Sequence, residues 1–354
     1  MYIDEVKEKF NMLQTKSDIT ILAFESSCDD TAVAVVRNGR QVLSDVISSQ
    51  IDIHSRFGGV VPEVASRNHL LAVSNLTQQA LDKAGITMEE IDAIAVTYGA
   101  GLVGSLMVTV NFAKSLAFAT SKPLIKVNHI RGHIAANYLS HLDLEPPFVA
   151  LVVSGGHTAL LKVSGYNQST ILGTTHDDAI GEAYDKVAKV LGLGYPGGPI
   201  VDKLAKEGNN TIQFVKPNYN KKELNFSYSG LKTAVINYIN KLKQRNEEIN
   251  IADVCASFQS QAVDEVVTKT IFAATKYKCK TIVLAGGVAC NSHLRARMDE
   301  ECRRAKLKLC YPTPIECTDN GAMIGAEAYY LIKSGVGLAN LDLTPDSTIN
   351  LKYS

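Results

Sequence analysis

Residues 24–36 read FESSCDDTAVAVV, and residues 151–163 read LVVSGGHTALLKV. Each begins as an apolar run, breaks at a short polar turn and returns as a second apolar run, the pattern of a buried β-hairpin. Around the first copy lie an Asn38-Gly39 turn, a third strand at 41–48, a helix at 62–84 with proline near its start, and a buried strand at 91–97. That strand enters a glycine-rich loop at 98–102, which opens a helix over 105–120. Around the second copy the order resumes, with helices at 178–191, 229–243 and 251–275 and a strand at 281–285. A last helix starts within 318–321 and runs to about 333. The spacing predicts an internal duplication, two α/β units built on one plan.

Three glycine-bearing turns, at 154–156, 197–198 and 286–287, each fall at a strand end or helix start. Glycine there lets backbone N–H groups approach an anion closely, so the three together suggest a nucleotide-binding architecture. Any one of them alone is ordinary turn chemistry. Residues 127–138, VNHIRGHIAANY, hold His129 and His133 about one helical turn apart, on one face. Two imidazoles so placed can share a metal ion; a solvated helix face carrying two polar residues has the same spacing.

At 354 residues the chain is long enough for two domains and a large core. Lys+Arg and Asp+Glu are both 36, so no global field draws the chain to nucleic acid or an acidic membrane. The 7 cysteines form no CxxC pair and read as reduced thiols, not as a disulfide framework. The N-terminus lacks a signal-peptide apolar region, and no uninterrupted apolar run approaches the roughly 18 residues of a membrane helix. The expectation is a cytoplasmic protein with no membrane association. Residues 1–17 read as a short, poorly anchored helix.

The longer motifs are ESSCDDT (25–31), GGVVPEVASRNH (58–69), GLVGSL (101–106), NHIRGH (128–133) and VSGGHT (153–158). They continue as DDAIGEAYDKVAK (177–189), YPGGP (195–199), FSYSGLKTA (226–234), SFQ (257–259), GGVACN (286–291) and PTPIECTDNGAMIGA (312–326). In this order, over roughly residues 19–333, the chain resembles the TsaD (formerly Gcp) family, the tRNA N6-adenosine threonylcarbamoyltransferases. The resemblance implies an α/β fold of duplicated ribonuclease-H-like lobes, of the actin/Hsp70/sugar-kinase type. It implies an N-terminal extension at 1–18, a first lobe at 19–128 plus about 319–354, and a second lobe with helical insertions at 129–318.

The same resemblance implies a metal site at His129, His133 and Asp319, for Fe(II) first and Zn(II) second. Two histidines and a carboxylate leave open positions for substrate oxygen and suit either ion. Asp319 also lies where an N-cap would stand, so capping is its alternative role. The substrate implied is L-threonylcarbamoyl-adenylate, lying between the lobes. Its nucleotide part would contact Val152, Val153, Ser154, Gly155, Gly156, Asp185, Gly198, Asp202 and Asn291. Asp185 and Asp202 would take ribose hydroxyls, although Asp185 could instead pair with Lys189 one turn on. Glu25 and Asp29 are the candidates for handling protons or orienting the attacking amine, with turn capping as their alternative. Lys232 could neutralise a phosphate or be solvated.

The implied reaction is attack by N6 of adenosine 37, in tRNAs reading codons that begin with A, on the carbamoyl carbon, expelling AMP. Partners resembling the TsaB paralogue and the TsaE ATPase would supply surface that a chain of zero net charge lacks. Local basic clusters stand at 241–245 and 295–308. A metalloprotease would need a general base between the histidines, and Ile130, Arg131 and Gly132 offer none. A sugar- or acetate-kinase-like ATPase and a nucleotide-gated scaffold share the fold without needing the metal set. Two positions depart from the family pattern: Ala100 stands for proline in the glycine-rich loop, and Gly321 for alanine after Asp319-Asn320. The second is expected to loosen a helix start by about 1 kcal/mol.

Overall fold

The computed structural model describes residues 2–214 and 223–349. Met1 and residues 350–354, the ends of the expected extension and first lobe, lie outside the described residues. The chain divides into two compact units: unit 1 is 1–145, 165–168 and 312–354, and unit 2 is 146–164 and 169–311. The expected boundary at 128/129 therefore falls inside unit 1, which keeps the helix His129–Ser140 and the segment 312–318. The reason is packing, since that helix lies along the helix Gly321–Lys333 of the same unit.

In chain order the strands are β1 (Thr20–Glu25), β2 (Asp30–Arg37), β3 (Gln41–Ser49), β4 (Ala93–Gly99) and β5 (Leu124–Asn128). Unit 2 supplies β6 (Phe148–Val153), β7 (Thr158–Gly165), β8 (Gln168–Thr174), β9 (Thr281–Ala285) and β10 (Lys308–Cys310), and β11 (Leu338–Ala339) returns to unit 1. The sheets run β11-β5-β4-β1-β2-β3 and β10-β9-β6-β7-β8. In each, a hairpin (β1/β2, β6/β7) pairs antiparallel while its first strand pairs parallel with a later one (β4, β9). The order 3-2-1-4-5 thus recurs as 8-7-6-9-10, and the duplication read from the sequence is one of strand order as well as pattern.

Both faces of the first sheet are covered, which is why β1 is buried throughout and apolar from Ile21 to Phe24. Leu22 and Phe24 meet Val73, Leu76, Val110 and Ala113 from the helices Pro62–Ala84 and Val103–Thr120. Ile21 and Ala23 point the other way, to Met323, Ile324, Ala328 and Leu331 of Gly321–Lys333. Proline occupies the first turn of Pro62–Ala84, and Gly85 ends it in the left-handed region at φ 67°. The helix Tyr2–Thr15 is anchored, contrary to expectation: it buries Tyr2, Val6, Phe10 and Leu13. Each of the larger apolar anchors contributes on the order of 1.5–3 kcal/mol, enough to hold a fourteen-residue segment in place. Val103–Thr120 alone among the described helices is long and apolar enough to cross a membrane by composition. Its Leu106, Val110, Ala113 and Ala117 are buried in the unit.

Candidate metal centre and nucleotide cradle

In an open α/β sheet, ligand chemistry collects beyond the carboxyl ends of the parallel strands. The ends of β1 and β5 place Glu25 and His129 there. Asn128 caps the helix His129–Ser140, its side-chain oxygen accepting from the N–H groups of Ile130 and Arg131. The cap fixes the phase of the first turn, so His129 and His133 share one face, their ring centroids 4.6 Å apart. Asp319 Oδ1 lies 3.2 Å from His133 Nε2 and 3.5 Å from His129 Nε2. The donor atoms of all three residues fall within 4.8 Å of one another. The helix Gly321–Lys333 is capped by Asn320, which accepts from Met323 N, so capping does not account for Asp319.

Metal–ligand bonds near 2.1 Å separate neighbouring donors by about 3.3 Å, close to both nitrogen–oxygen distances found. Among the described residues neither buried ring nitrogen of His133 has a hydrogen-bond partner, although Asp319 Oδ1 lies near Nε2, and a cation between them would take the Nε2 lone pair. The residues fit a divalent metal.

Glu25 makes the local turn contact that was its alternative role, and more. It is fully buried, and its carboxylate accepts from Ser27 N, Thr97 Oγ1 and His129 Nδ1, the last at 3.1 Å. It therefore faces His129. In the neutral ring that ligation requires, Glu25, a carboxylate that accepts, would hold the His129 proton on Nδ1 and leave Nε2 facing Asp319. Burial alone would lower the His129 pKa, but the charges of Glu25 and Asp319 outweigh it and raise it to about 9. Burial alone would raise that of Glu25, and the His129 charge and hydrogen bond hold it below the usual carboxylate range. Asp29 lies half-buried in the turn between β1 and β2, its carbonyl accepting from Gln50 N. Next to it, burial pushes Asp30 up to about 7.

In unit 2 the nucleotide candidates gather by close backbone contacts. Val152 and Val153 are buried at the end of β6, and Ser154 follows in the turn. A Cβ on Gly286, where φ is +89°, would stand 2.5 Å from the Val153 carbonyl oxygen. One on Gly181 would stand 2.5 Å from Ser154 O, and one on Gly197 2.9 Å from Asp185 Cα. These glycines let the turns at 154, 197 and 286 and the helix Ile180–Leu191 crowd together. Gly155, Gly156, Gly198 and Gly287 differ, because a Cβ on any of them would meet nothing within 4 Å. They expose backbone to open space, as an anion cradle requires.

The polar candidates are engaged in shaping these turns. Asp185 Oδ1 accepts from Gly197 N at 2.7 Å. Asp202 receives both the N–H and the hydroxyl of Ser292. Asn291 caps the helix Ser292–Ala305 and donates to Gln259 Oε1 at 2.7 Å. Lys232 is ion-paired with Asp178, so that cation is already neutralised. In the 295–308 cluster, Arg297, Arg303 and Arg304 pair with acids of their own helix. Sequence reasoning gave no role to Thr97, Ser27 or Gln259; Ser27 and Gln259 lay in quoted motifs with polar side chains to question, whereas Thr97 lay in a strand read only as buried. Gly321 also finds its reason here: a Cβ would stand 2.6 Å from Ala34 N, so glycine admits the helix start onto β2.

The family model described as TsaD, tRNA N6-adenosine threonylcarbamoyltransferase, matches residues 41–326. The chain belongs to this family. A Clostridium perfringens (strain SM101 / Type A) protein named tRNA N6-adenosine threonylcarbamoyltransferase is 56% identical over 328 residues, covering 92% of this chain and 97% of its own. A protein of the same name from Clostridium novyi (strain NT) is 56% identical over 332 residues, covering 93% and 97%. This TsaD-family chain is therefore an enzyme, a transferase of that class. Among solved structures, full-length HypF in its phosphate- and nucleotide-bound form superposes with a TM-score of 0.61 at 14% identity, over 89% of this chain and 46% of HypF. The (R)-2-hydroxyglutaryl-CoA dehydratase component A of Acidaminococcus fermentans superposes at 0.53 and 12% identity, over 89% and 99%. These likenesses show the actin/Hsp70/sugar-kinase fold expected of a TsaD protein.

Proposed function

We propose that the chain transfers the threonylcarbamoyl group of L-threonylcarbamoyl-adenylate to N6 of adenosine 37 in tRNAs reading codons that begin with A. The observation that carries this reading is the convergence of His129, His133 and Asp319 in a chain whose other unit offers a glycine cradle. The N6–carbamoyl bond forms, the bond from the carbamoyl carbon to the phosphate oxygen breaks, the N6 proton leaves, and AMP departs.

His129 Nε2, His133 Nε2 and Asp319 would hold one divalent ion, Fe(II) first and Zn(II) second. When bound, it supplies Lewis acidity and a template for the threonylcarbamoyl group. Glu25 keeps His129 in the tautomer and orientation that ligation needs. Backbone N–H groups around Ser154, Gly155, Gly156 and Gly198 bind the adenylate phosphate, with Asp185, Asp202 and Asn291 holding the turns and sharing oxygens with the ribose. With Glu25 buried, Asp29 is the first-hairpin acid assigned to the amine proton. An anticodon-loop base is already outside a regular duplex, which makes its presentation cheap.

Zero net charge, and a 295–308 cluster in which Arg297, Arg303 and Arg304 already pair with acids of their own helix, point to a shared tRNA surface. Partners resembling TsaB and TsaE would complete it, in the cytoplasm where tRNA is modified. The test is transfer of labelled threonine from threonylcarbamoyl-adenylate to an A37 tRNA, with and without those partners. Label that disappears in a His129→Ala/His133→Ala variant supports the reading. No label with every partner present would refute it and leave a kinase-like ATPase ahead.

A further inference from the structure

The metal motif carries an arginine between its histidines. Arg131 is two residues from each, so it leaves the helix His129–Ser140 about 200° around from both ligands. It is 4% exposed, and Glu327, on the helix Gly321–Lys333, is 2% exposed. Arg131 Nε donates to Glu327 Oε1 at 2.8 Å, and Nη2 donates to the Tyr166 carbonyl oxygen, also at 2.8 Å. Beside it, a Cβ on Gly132 would stand 2.8 Å from Ile324 Cδ1, so the two helices touch along this line. One helix supplies both nitrogens of the triad; the other begins two residues after Asp319, which supplies the oxygen.

A buried ion pair is a weak device for stability, because apolar residues of similar volume commonly do as well. It is a strong device for registry, because a fork of directed hydrogen bonds tolerates little sliding. A slip of one residue along a helix is about 1.5 Å, enough to break a coordination set that tolerates a few tenths of an ångström. We propose that the buried Arg131–Glu327 pair is a positioning device that holds the two-histidine helix in register with Asp319 for metal binding. The proposal rests on the metal reading of the triad.

The test uses the full chain, freed of metal and titrated with cobalt(II), following the visible d–d absorption of the bound ion. Thermal melting of the metal-free protein runs beside it. Two variants are compared: Arg131→Lys, which keeps charge but loses the fork, and Arg131→Met/Glu327→Met, which replaces the pair with apolar volume. The expected result is a cobalt affinity at least about tenfold weaker in both, with altered absorption, while the double variant melts close to the wild type. Wild-type affinity in either variant overturns the proposal. So does an affinity loss that comes only with unfolding of both metal-free variants, which would assign the pair to folding. If the double variant alone fails to fold, the Arg131→Lys titration decides by the same criterion. A wild-type chain that binds no cobalt defeats the metal reading itself, whereas bound cobalt with unshifted variants defeats only the positioning role.

Discussion

The hairpin tips at 25–30 and 154–157 close the same strands in the same sheet order, one in each unit, and are put to opposite uses. The first is filled with side chains. Glu25 is fully buried and wired to His129, Ser27 and Thr97, and its charge, with that of Asp319, helps raise the His129 pKa to about 9. The second is stripped, with Gly155 and Gly156 facing open space. On the proposed reading, a duplicated scaffold offers two sites of different chemistry, one of directed side-chain ligands and one of backbone dipoles. If they act independently, each can be broken without disturbing the other.

Removing both imidazoles is expected to have the largest effect. His129→Ala/His133→Ala should lower threonylcarbamoyl transfer by about a thousandfold or more and leave the purified protein without metal, as elemental analysis would read. Nucleotide binding, measured by calorimetry with AMP, should be retained; its loss would break the comparison. Next comes Glu25→Gln, which keeps the side-chain volume but removes the charge facing His129. We expect metal affinity to fall by about 10–100-fold with AMP affinity unchanged. A substitution in the other tip sharpens the contrast: Gly156→Val has room for its Cβ, so the melting temperature should hold. It should fill the cradle and weaken AMP binding at least about tenfold, roughly 1.4 kcal/mol. Metal content should stay the same.

The smallest effect is on stability. Burial pushes Asp45 on β3 up to about 6, against hydrogen bonds from Gly321 and Ala322 that lower it. A carboxyl raised in the folded state binds protons more tightly there than in the unfolded chain. Its contribution is therefore full below about pH 4 and lost as pH rises through 6. Asp45→Asn keeps an acceptor for Gly321 N and should melt higher than the wild type above pH 6, with the difference vanishing near pH 4. A difference that grows toward acid would contradict this assignment.

Much of this was legible in the sequence because it is local. Continuous apolar runs broken by polar turns gave the hairpins, a proline and a following glycine bounded the helix Pro62–Ala84, and four-residue spacing put two histidines on one face. Asn128 before His129 has the form of a cap, and it is one. The limits of such reading show at Glu25 and at the glycines. A carboxylate in a polar turn looks available to substrate until strand order sets Thr97 and His129 against it. Gly156 and Gly286 look alike in sequence; a neighbouring carbonyl makes one a packing glycine, and open space leaves the other exposed.

The chain's local pattern by itself determined a duplicated α/β architecture, a one-faced pair of histidines and glycine turns at strand ends. Only the tertiary structure decided which unit holds the histidine helix and that Asn320, not Asp319, caps the following one. It also decided that Glu25 serves His129 and that Arg131 reaches Glu327. The physical reason is range. Backbone periodicity and capping are settled within a few residues, whereas these contacts join segments far apart in the chain. Sheet order and helix packing alone bring such segments within hydrogen-bond distance.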